Sequence, residues 1–429
     1  MIASTILLLL GILALSVSVT AGLALLAALL TTFYTPVPLE RMIGEIAWQS
    51  MASESLVAIP FFILLGEILL RSGIAERMYA ALVEWLSWLP GGTMHANIGS
   101  CSLFAASSGS SVATAATIGT VAVPEIERRG YSERLFLGTL AAGGTLGILI
   151  PPSVALIIYG VLTETSIPRL YLAGMIPGIV LALLFMGFIA AYTLLVPAAG
   201  GHKVSTSWQR RWRVLPDLAP PLFIFAVVVL TIYAGIATPT EAAAFGVVAA
   251  LGLALLRRKL SITMLREAIE GTMRTTAMVV AIILTALLLN FVLTFLGISK
   301  AITDSVIDLD MGPVAFMLMI VAFYLVLGCF MEGFSIVLIT VPIIVPLVVA
   351  MGYDPIWFGI VLTLLLEAAL ITPPIGVNLY VVQGVRKGGS IMDVIVGATP
   401  FVAIIFLMIL LLMAFPQVAL WLPETVFAK

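Results

Sequence analysis

Long apolar runs govern what this chain can become. Residues 4 to 31, 50 to 70, 135 to 163, 170 to 197, 217 to 236, 240 to 256, 273 to 297, 357 to 385 and 392 to 421 each read as a bilayer crossing, for which about 20 apolar residues suffice. Of 429 residues, 62% are hydrophobic and 10% charged, with a mean hydropathy of +1.21; a soluble domain carries about 25% charged residues. Such an excess cannot be hidden in a core. A soluble enzyme, a nucleic-acid binder and a disordered chain are excluded, and a lipid bilayer is the expected surrounding.

The reactive side chains are few. Cys101, Cys329, His95 and His202 lie far apart, so neither a disulfide framework, a transition-metal site nor a histidine-based catalytic triad is expected. No G-x-x-x-x-G-K-[ST] loop for nucleotide hydrolysis occurs. The N-terminal run lacks the positively charged start of a signal peptide and stays apolar to Leu30, which reads as a retained first membrane segment. Whether residues 4 to 34 cross once or twice is open.

Two segments, 94 to 127 and 314 to 349, do not read as ordinary spans. In the first, arms of about 13 to 15 residues flank Ser107, Ser108, Gly109, Ser110 and Ser111. Each arm is roughly 20 Å of helix, against about 30 Å of hydrocarbon. The expected form is a re-entrant helical hairpin whose Ser/Gly tip is buried in protein or lines a cavity.

An internal repeat sets the architecture. Ile150-Pro151-Pro152-Ser153-Val154-Ala155-Leu156 recurs as Thr372-Pro373-Pro374-Ile375-Gly376-Val377-Asn378, an offset of 222 that also carries Pro124 onto Pro346 and Gly130-Tyr131 onto Gly352-Tyr353. Gly73-Ile74 falls on Gly297-Ile298 at 224. Arg128, Arg129 and Arg134 follow the first hairpin, whereas the equivalent loop, Met351 to Phe358, has no basic residue; Arg257, Arg258, Lys259 and Arg266 precede the span at 273, whose counterpart holds only Arg41. The positive-inside rule therefore puts equivalent loops on opposite faces. The expected fold is an all-α multi-pass membrane protein of two inverted-topology repeats. Residues 1–197 form the first (hairpin 94–127, broken helix 135–163) and 217–429 the second (hairpin 314–349, broken helix 357–385). A basic cytoplasmic linker, 198–216, with Lys203, Arg210, Arg211 and Arg213, joins them.

Paired helix interruptions in inverted halves point to a transporter's binding site. Proline removes a backbone donor and clashes with the preceding turn, so carbonyl oxygens are freed at Pro151 and Pro373. With hydroxyls and half-helix N-termini they suit sodium and a carboxylate. One ion site is expected between Ser107 to Ser111 and the first break, including Gly147 and Ser153. A second is expected between the tip Gly328 to Ser335, with Glu332 and Gly333, and the second break, including Thr372, Gly376 and Asn378. The competing reading makes the prolines kinks and the small residues packing surfaces, as at Gly143-x-x-x-Gly147; two symmetric pairs of such features weigh against it.

Acidic residues divide similarly. Glu241, in Thr238-Pro239-Thr240-Glu241, fits a capping box. Glu332, in the tip GCFMEGFS, is expected to serve an ion or substrate, since charge at that depth is expensive. For Glu67 and Glu367 a structural partner such as Arg71 or Arg274 serves at least as well, and Asn290 and Tyr159 read as interhelical glue. Residues 35 to 49 and 75 to 92 mix apolar, charged and tryptophan positions, as interfacial amphipathic helices that brace a scaffold would.

SLFAASSGSSVATAATIGTVAVPEIERRGY, GTLGILIPPSVALIIYG, GIATPTEAAAFGVV, GCFMEGFSIVLITVPIIVPL and ITPPIGVNLYVVQG together resemble the large membrane subunit of tripartite ATP-independent periplasmic (TRAP) transporters. The resemblance implies sodium-coupled symport of an organic acid across the bacterial inner membrane, with no cofactor beyond Na+. It also implies a periplasmic binding protein that delivers the substrate, a small four-helix membrane subunit, and an elevator motion of a domain built from the hairpins and broken helices. By motif, Ser107, Ser108, Ser110, Ser111, Ser153 and Glu332 fall where ion and substrate contacts are expected, with Ser335 and Asn378 added as substrate contacts. The alternatives are a stand-alone divalent-anion/sodium symporter with similar hairpins and, more remotely, a membrane-embedded hydrolase. The hydrolase lacks a nearby general base, because His95 stands only at the hairpin's entrance.

Overall fold

The structure is a computed structural model that describes residues 17–35, 40–202, 206–298, 311–386 and 388–427, with the isolated residues 5, 8, 11, 301 and 304. Parts of the expected span 4 to 31 and of the amphipathic stretch 35 to 49, and Lys203 of the linker, lie outside the described residues. The described elements are helical, with one isolated bridge between Tyr131 and Gly200.

The first half runs through α1 (Val19–Tyr34), α2 (Glu40–Met51), α3 (Glu54–Arg71), α4 (Ile74–Leu86), α5 (Thr93–Ser108), α6 (Ser111–Ala122), α7 (Pro124–Arg129), α8 (Glu133–Thr145), α9 (Val154–Thr163) and α10 (Ile167–Leu195). The connecting segment carries the short α11 (Trp208–Val214). The second half then runs through α12 (Ala219–Tyr233), α13 (Pro239–Leu256), α14 (Ile262–Phe295), α15 (Pro313–Gly328), α16 (Gly333–Ala350), α17 (Pro355–Leu370), α18 (Val377–Val385), α19 (Ile391–Ala414) and α20 (Gln417–Phe427). Among the described residues, six helical stretches are long and apolar enough to cross a membrane, from the 18-residue α13 to the 34-residue α14.

Helix starts follow local chemistry. Thr238 and Glu241 form a reciprocal capping box on α13, as expected. Asp354 accepts from Ile356 N at 2.7 Å to start α17, and Ser261 accepts from Met264 N at 3.1 Å to start α14. The second hairpin differs from expectation in proportion. Its helices are 16 and 18 residues against 16 and 12 in the first hairpin, where about 13 to 15 were expected, and the Glu332 side chain caps the start of α16 at Gly333. By length and composition α16 can span a membrane.

Both helices that precede a Pro-Pro break are apolar all round, and both are central. On α8 every residue from Leu135 to Thr145 is buried, and on α17 every residue from Trp357 to Ala368; a helix without a polar face must be covered on all sides. α8 packs on α19, α5, α6 and α18; α17 packs on α15, α19, α10 and α16. The short helices after the breaks cross between halves. α9 lies on α16, and α18 lies on α6 and α8. Outside this set, α3 packs with α13 and α14, and α1 with α14.

α4 bends away from α3 by 70°, after a left-handed Gly73 (φ +68°). It presents Met78, Tyr79 and Val83 inward and Glu76 and Arg77 outward, the division an interfacial helix needs. Its attachment is specific. Tyr79 Oη donates to Asn97 Oδ1 (2.9 Å), Asn97 Nδ2 to Thr139 Oγ1 (2.8 Å), and Thr139 Oγ1 to Phe136 O (2.6 Å), so buried polar groups join α4, α5 and α8. The α11 segment docks on α4 through Trp85, whose ring meets Trp208 and Trp212 edge-on, with Trp85 Nε1 donating to Arg211 O (3.2 Å) and Arg211 Nε to Glu84 O (3.1 Å).

Candidate functional site

The first tip is closed by backbone geometry that only small residues allow. Gly109 takes φ +62° between α5 and α6, and a Cβ there would sit 2.6 Å from Pro152 O, so the tip rests on the first break. Gly147 completes the contact from the other side: its Cβ would lie 2.7 Å from the carbonyl of Ser110. Both Pro-Pro bonds, Pro151–Pro152 and Pro373–Pro374, are cis.

Serines knit this junction. Ser110 Oγ accepts from Ala113 N (3.3 Å) at the start of α6, and Ser153 Oγ accepts from Leu156 N (3.4 Å) at the start of α9. Ser153 Oγ also donates to Ile148 O at 2.5 Å, and Ser111 Oγ to Thr145 O at 3.2 Å. Ser107 Oγ lies 3.3 Å from Leu103 O and 3.4 Å from Pro221 O of α12, and Ser108 Oγ is 3.2 Å from Thr114 Oγ1. Thr114 also donates to Ser110 O at 2.7 Å. Sequence reasoning missed Thr114 and the Thr145 carbonyl; Thr114 carried a signal, lying one helical turn after the serine cluster.

The second tip is held by other contacts. Gly328 packs on Ala369, with a 2.5 Å approach for any added Cβ, and Ala369 stands 222 positions after Gly147. The small residue touching each tip thus recurs at the repeat spacing. Glu332 Oε1 accepts from Phe334 N (3.1 Å), and its Oε2 accepts from Ser335 N and Ser335 Oγ (both 3.3 Å). The carboxylate is therefore aimed at the first turn of α16, where unsatisfied N–H groups and the helix dipole favour it. Thr372 Oγ1 donates back to Ala368 O (2.7 Å), and Gly376 precedes α18 with φ +32°.

The two tips line a common space. Ser110, Ser111, Glu332 and Gly333 line one small cavity of about 50 Å³, together with Ile148 of the first break and Leu366 and Leu370 of α17. Thr372 lines a separate small recess with Leu365 and Ala368. Asn378, expected with the second tip, is placed differently. Its Nδ2 donates to Ala141 O of α8 at 3.3 Å and lies 3.1 Å from where a Gly144 Cβ would be, while its Oδ1 is buried with no partner among the described residues. The reason is the crossing of α18 onto the first half.

The remaining acids and polar residues separate by partner. Glu67 pairs with Arg71 as expected, and Arg71 extends to Glu267 at 3.4 Å. Glu367 is fully buried, and among the described residues neither carboxylate oxygen has a hydrogen-bond partner, Arg71 and Arg274 included. Tyr159 Oη donates to Pro355 O (2.6 Å), holding α9 to α17. Asn290 faces a larger crevice with Glu164 and Thr294, away from the tips.

The sequence model described as "Tripartite ATP-independent periplasmic transporter, DctM component" matches residues 6–418. The chain belongs to that family. It is 31% identical to the C4-dicarboxylate TRAP transporter large permease protein DctM of Vibrio cholerae, over 97% of this chain and 96% of that protein. It is 30% identical to the ectoine TRAP transporter large permease protein TeaC of Halomonas elongata, over 87% of each chain. Among solved structures, the Alcanivorax borkumensis YdaH transporter superposes with a TM-score of 0.70 at 14% identity, covering 95% of this chain and 99% of that one, a likeness of fold. The chain is thus a TRAP large permease subunit, a multi-pass inner-membrane transport protein and not an enzyme.

Proposed function

We propose that this TRAP large permease subunit performs sodium-coupled symport of a small organic acid. In this reading the hairpins 94–127 and 314–349 and the broken helices 135–163 and 357–385 move together as an elevator against a frame of α1, α3, α12, α13 and α14. The observation that carries it is that both tips, Ser110–Ser111 and Glu332–Gly333, line one cavity beside a helix break. Sodium is assigned to the tip–break junctions: Ser107, Ser108, Gly109, Ser110, Ser111, Gly147 and Pro151 on one side, and Gly328, Glu332, Gly333, Thr372, Pro373 and Gly376 on the other. Substrate is assigned to Ser110, Ser153, Glu332 and Ser335, with Asn378 reporting on the first junction. Hydroxyl and carbonyl oxygens without histidine or thiolate suit a hard monovalent cation. The halves 1–197 and 217–429 are read as inverted repeats joined by 198–216, because the element order and the Pro-Pro pairs recur at nearly one spacing.

A periplasmic binding protein and a small four-helix membrane subunit complete the transporter in this proposal. The relatives differ in the substrates in their names, a dicarboxylate and ectoine, which fits selectivity residing partly in the binding protein. The test is reconstitution in vesicles with and without those two partners, under an inward sodium gradient. Uptake that needs both partners and collapses when sodium is replaced by potassium is the expected result. Sodium-driven uptake by the chain alone sinks the tripartite reading, and partner-dependent uptake indifferent to sodium sinks the coupling.

Glu332 tests the second tip. Because its carboxylate is held by three N–H and O–H donors from α16, Glu332→Gln keeps part of the cap and removes the charge. The half-saturating sodium concentration is expected to rise about tenfold, from loss of one charge-assisted interaction. An unchanged sodium dependence removes Glu332 from the ion site.

A further inference from the structure

An open cleft of about 540 Å³ lies between α4, the exit of the first hairpin and the α11 segment. It is separate from the cavity between the tips. Its walls carry three carboxylates, Glu76, Glu84 and Glu125, and three guanidiniums, Arg128, Arg129 and Arg210. Glu125 is already taken, pairing with Arg128 at 3.1 Å and with Arg129. Glu84 Oε2 is buried and has no hydrogen-bond partner among the described residues, a costly state for a carboxylate oxygen. At the rim the Arg128 side chain is 72% exposed.

This balance selects a class of ligand. Three positive against three negative groups do not favour a purely anionic ligand, and Glu84 and Glu125 would repel a carboxylate substrate on its way through. An orphan carboxylate oxygen in the wall calls for an N–H donor, and guanidiniums at the rim call for a phosphate. The surroundings place the cleft at a bilayer surface: α4 is amphipathic and bent across the direction of α3, and Trp85, Trp208 and Trp212 cluster beside it, as indoles do at headgroup level.

We propose that this cleft binds the headgroup of a zwitterionic aminophospholipid, with its ammonium on Glu84 and its phosphate on the exposed Arg128. The bound lipid then bridges α4 and the exit of the first hairpin, whose entry helix α5 is already joined to α4 by Tyr79 and Asn97.

The full chain, delipidated in detergent and titrated with phosphatidylethanolamine, phosphatidylcholine or phosphatidylglycerol, tests this by native mass spectrometry. Phosphatidylethanolamine is expected to be retained about tenfold better than the other two, since phosphatidylcholine has no N–H donor and phosphatidylglycerol no cation. Glu84→Gln is expected to abolish that preference; Oε2 has no hydrogen bond to lose among the described residues, and the near-isosteric change should leave the fold intact. Arg128→Gln, on an exposed side chain, is the second variant and should weaken phosphatidylethanolamine and phosphatidylglycerol alike by about tenfold. Equal retention of the three lipids, or a preference unaltered in both variants, overturns the proposal. Displacement of the lipid by an equal concentration of soluble phosphoethanolamine also overturns it, because the cleft would then serve a water-borne zwitterion.

Discussion

Gly397→Ala is expected to give the largest loss of stability of any single methyl added to this chain. Gly397 of α19 faces α8 so closely that a Cβ would be driven into the carbonyl of Arg134, and across the same contact a Cβ on Gly138 would meet the Gly397 carbonyl. Both obstacles are helix backbone, which cannot rotate aside as a side chain does. The same end of the interface is tied by Arg134 Nε to Asp393 at 2.9 Å and Arg386 to Glu133 at 2.6 Å, so separating the helices also breaks an ion-pair network. Overpacking of this kind costs about 3 kcal/mol, and a thermal midpoint followed by size-exclusion chromatography should fall by about 5 °C. Gly384→Ala is the control: nothing lies within 4 Å of its added methyl, and helix propensity alone makes it neutral or stabilising by up to about 1 kcal/mol. Equal midpoints for the two variants would show that the α8–α19 approach is slack.

Gly109→Ala is expected to cost most in transport while leaving the bundle assembled. The residue needs φ +62°, unfavourable by about 1–2 kcal/mol for any residue with a Cβ, and its methyl would stand 2.6 Å from Pro152 O. Together these come to about 3 kcal/mol, or roughly a hundredfold in the affinity of whatever the tip–break junction binds. In reconstituted uptake the half-saturating sodium concentration should shift by up to about that factor, while the thermal midpoint falls by no more than the drop of about 5 °C expected for Gly397→Ala. Ser107→Ala, which removes only weak contacts to Leu103 O and Pro221 O at 3.3 and 3.4 Å, should move it by less than about tenfold. A Gly109→Ala protein with normal sodium dependence would place the ion elsewhere.

Much of this arrangement was legible before any coordinates. The apolar runs marked the spans, the 222-residue offset marked the Pro-Pro pairs, and Ser/Gly clusters marked the tips, because each is a local property written in consecutive residues. What escaped was non-local. Asn378 sits five residues after Pro373 and reads as part of the second break, yet α18 crosses to α6 and α8, and the side chain bonds to Ala141. Only the packing of the central helices decides that. Glu367 shows the same limit in reverse: an acid in an apolar run invites a basic partner, and α17 is so enclosed that none among the described residues reaches it. The second hairpin's proportions escaped as well: α16, capped by Glu332, is longer than a symmetric division of the apolar run suggests.

The crossing of α9 onto α16 and of α18 onto α6 and α8 has a consequence in time. Residues leave the ribosome in order, so Val154–Thr163 is made and inserted long before Gly333–Ala350, its lining, exists. Through that interval a ten-residue helix next to a break must be held in lipid, by the insertion machinery or by α3 and α10, without its permanent neighbour. The first half therefore cannot mature before the second is nearly complete, and a chain cut at the linker would have to regain both crossings at once. Quality control of this protein is expected to act late, after residue 350, on an all-or-none event.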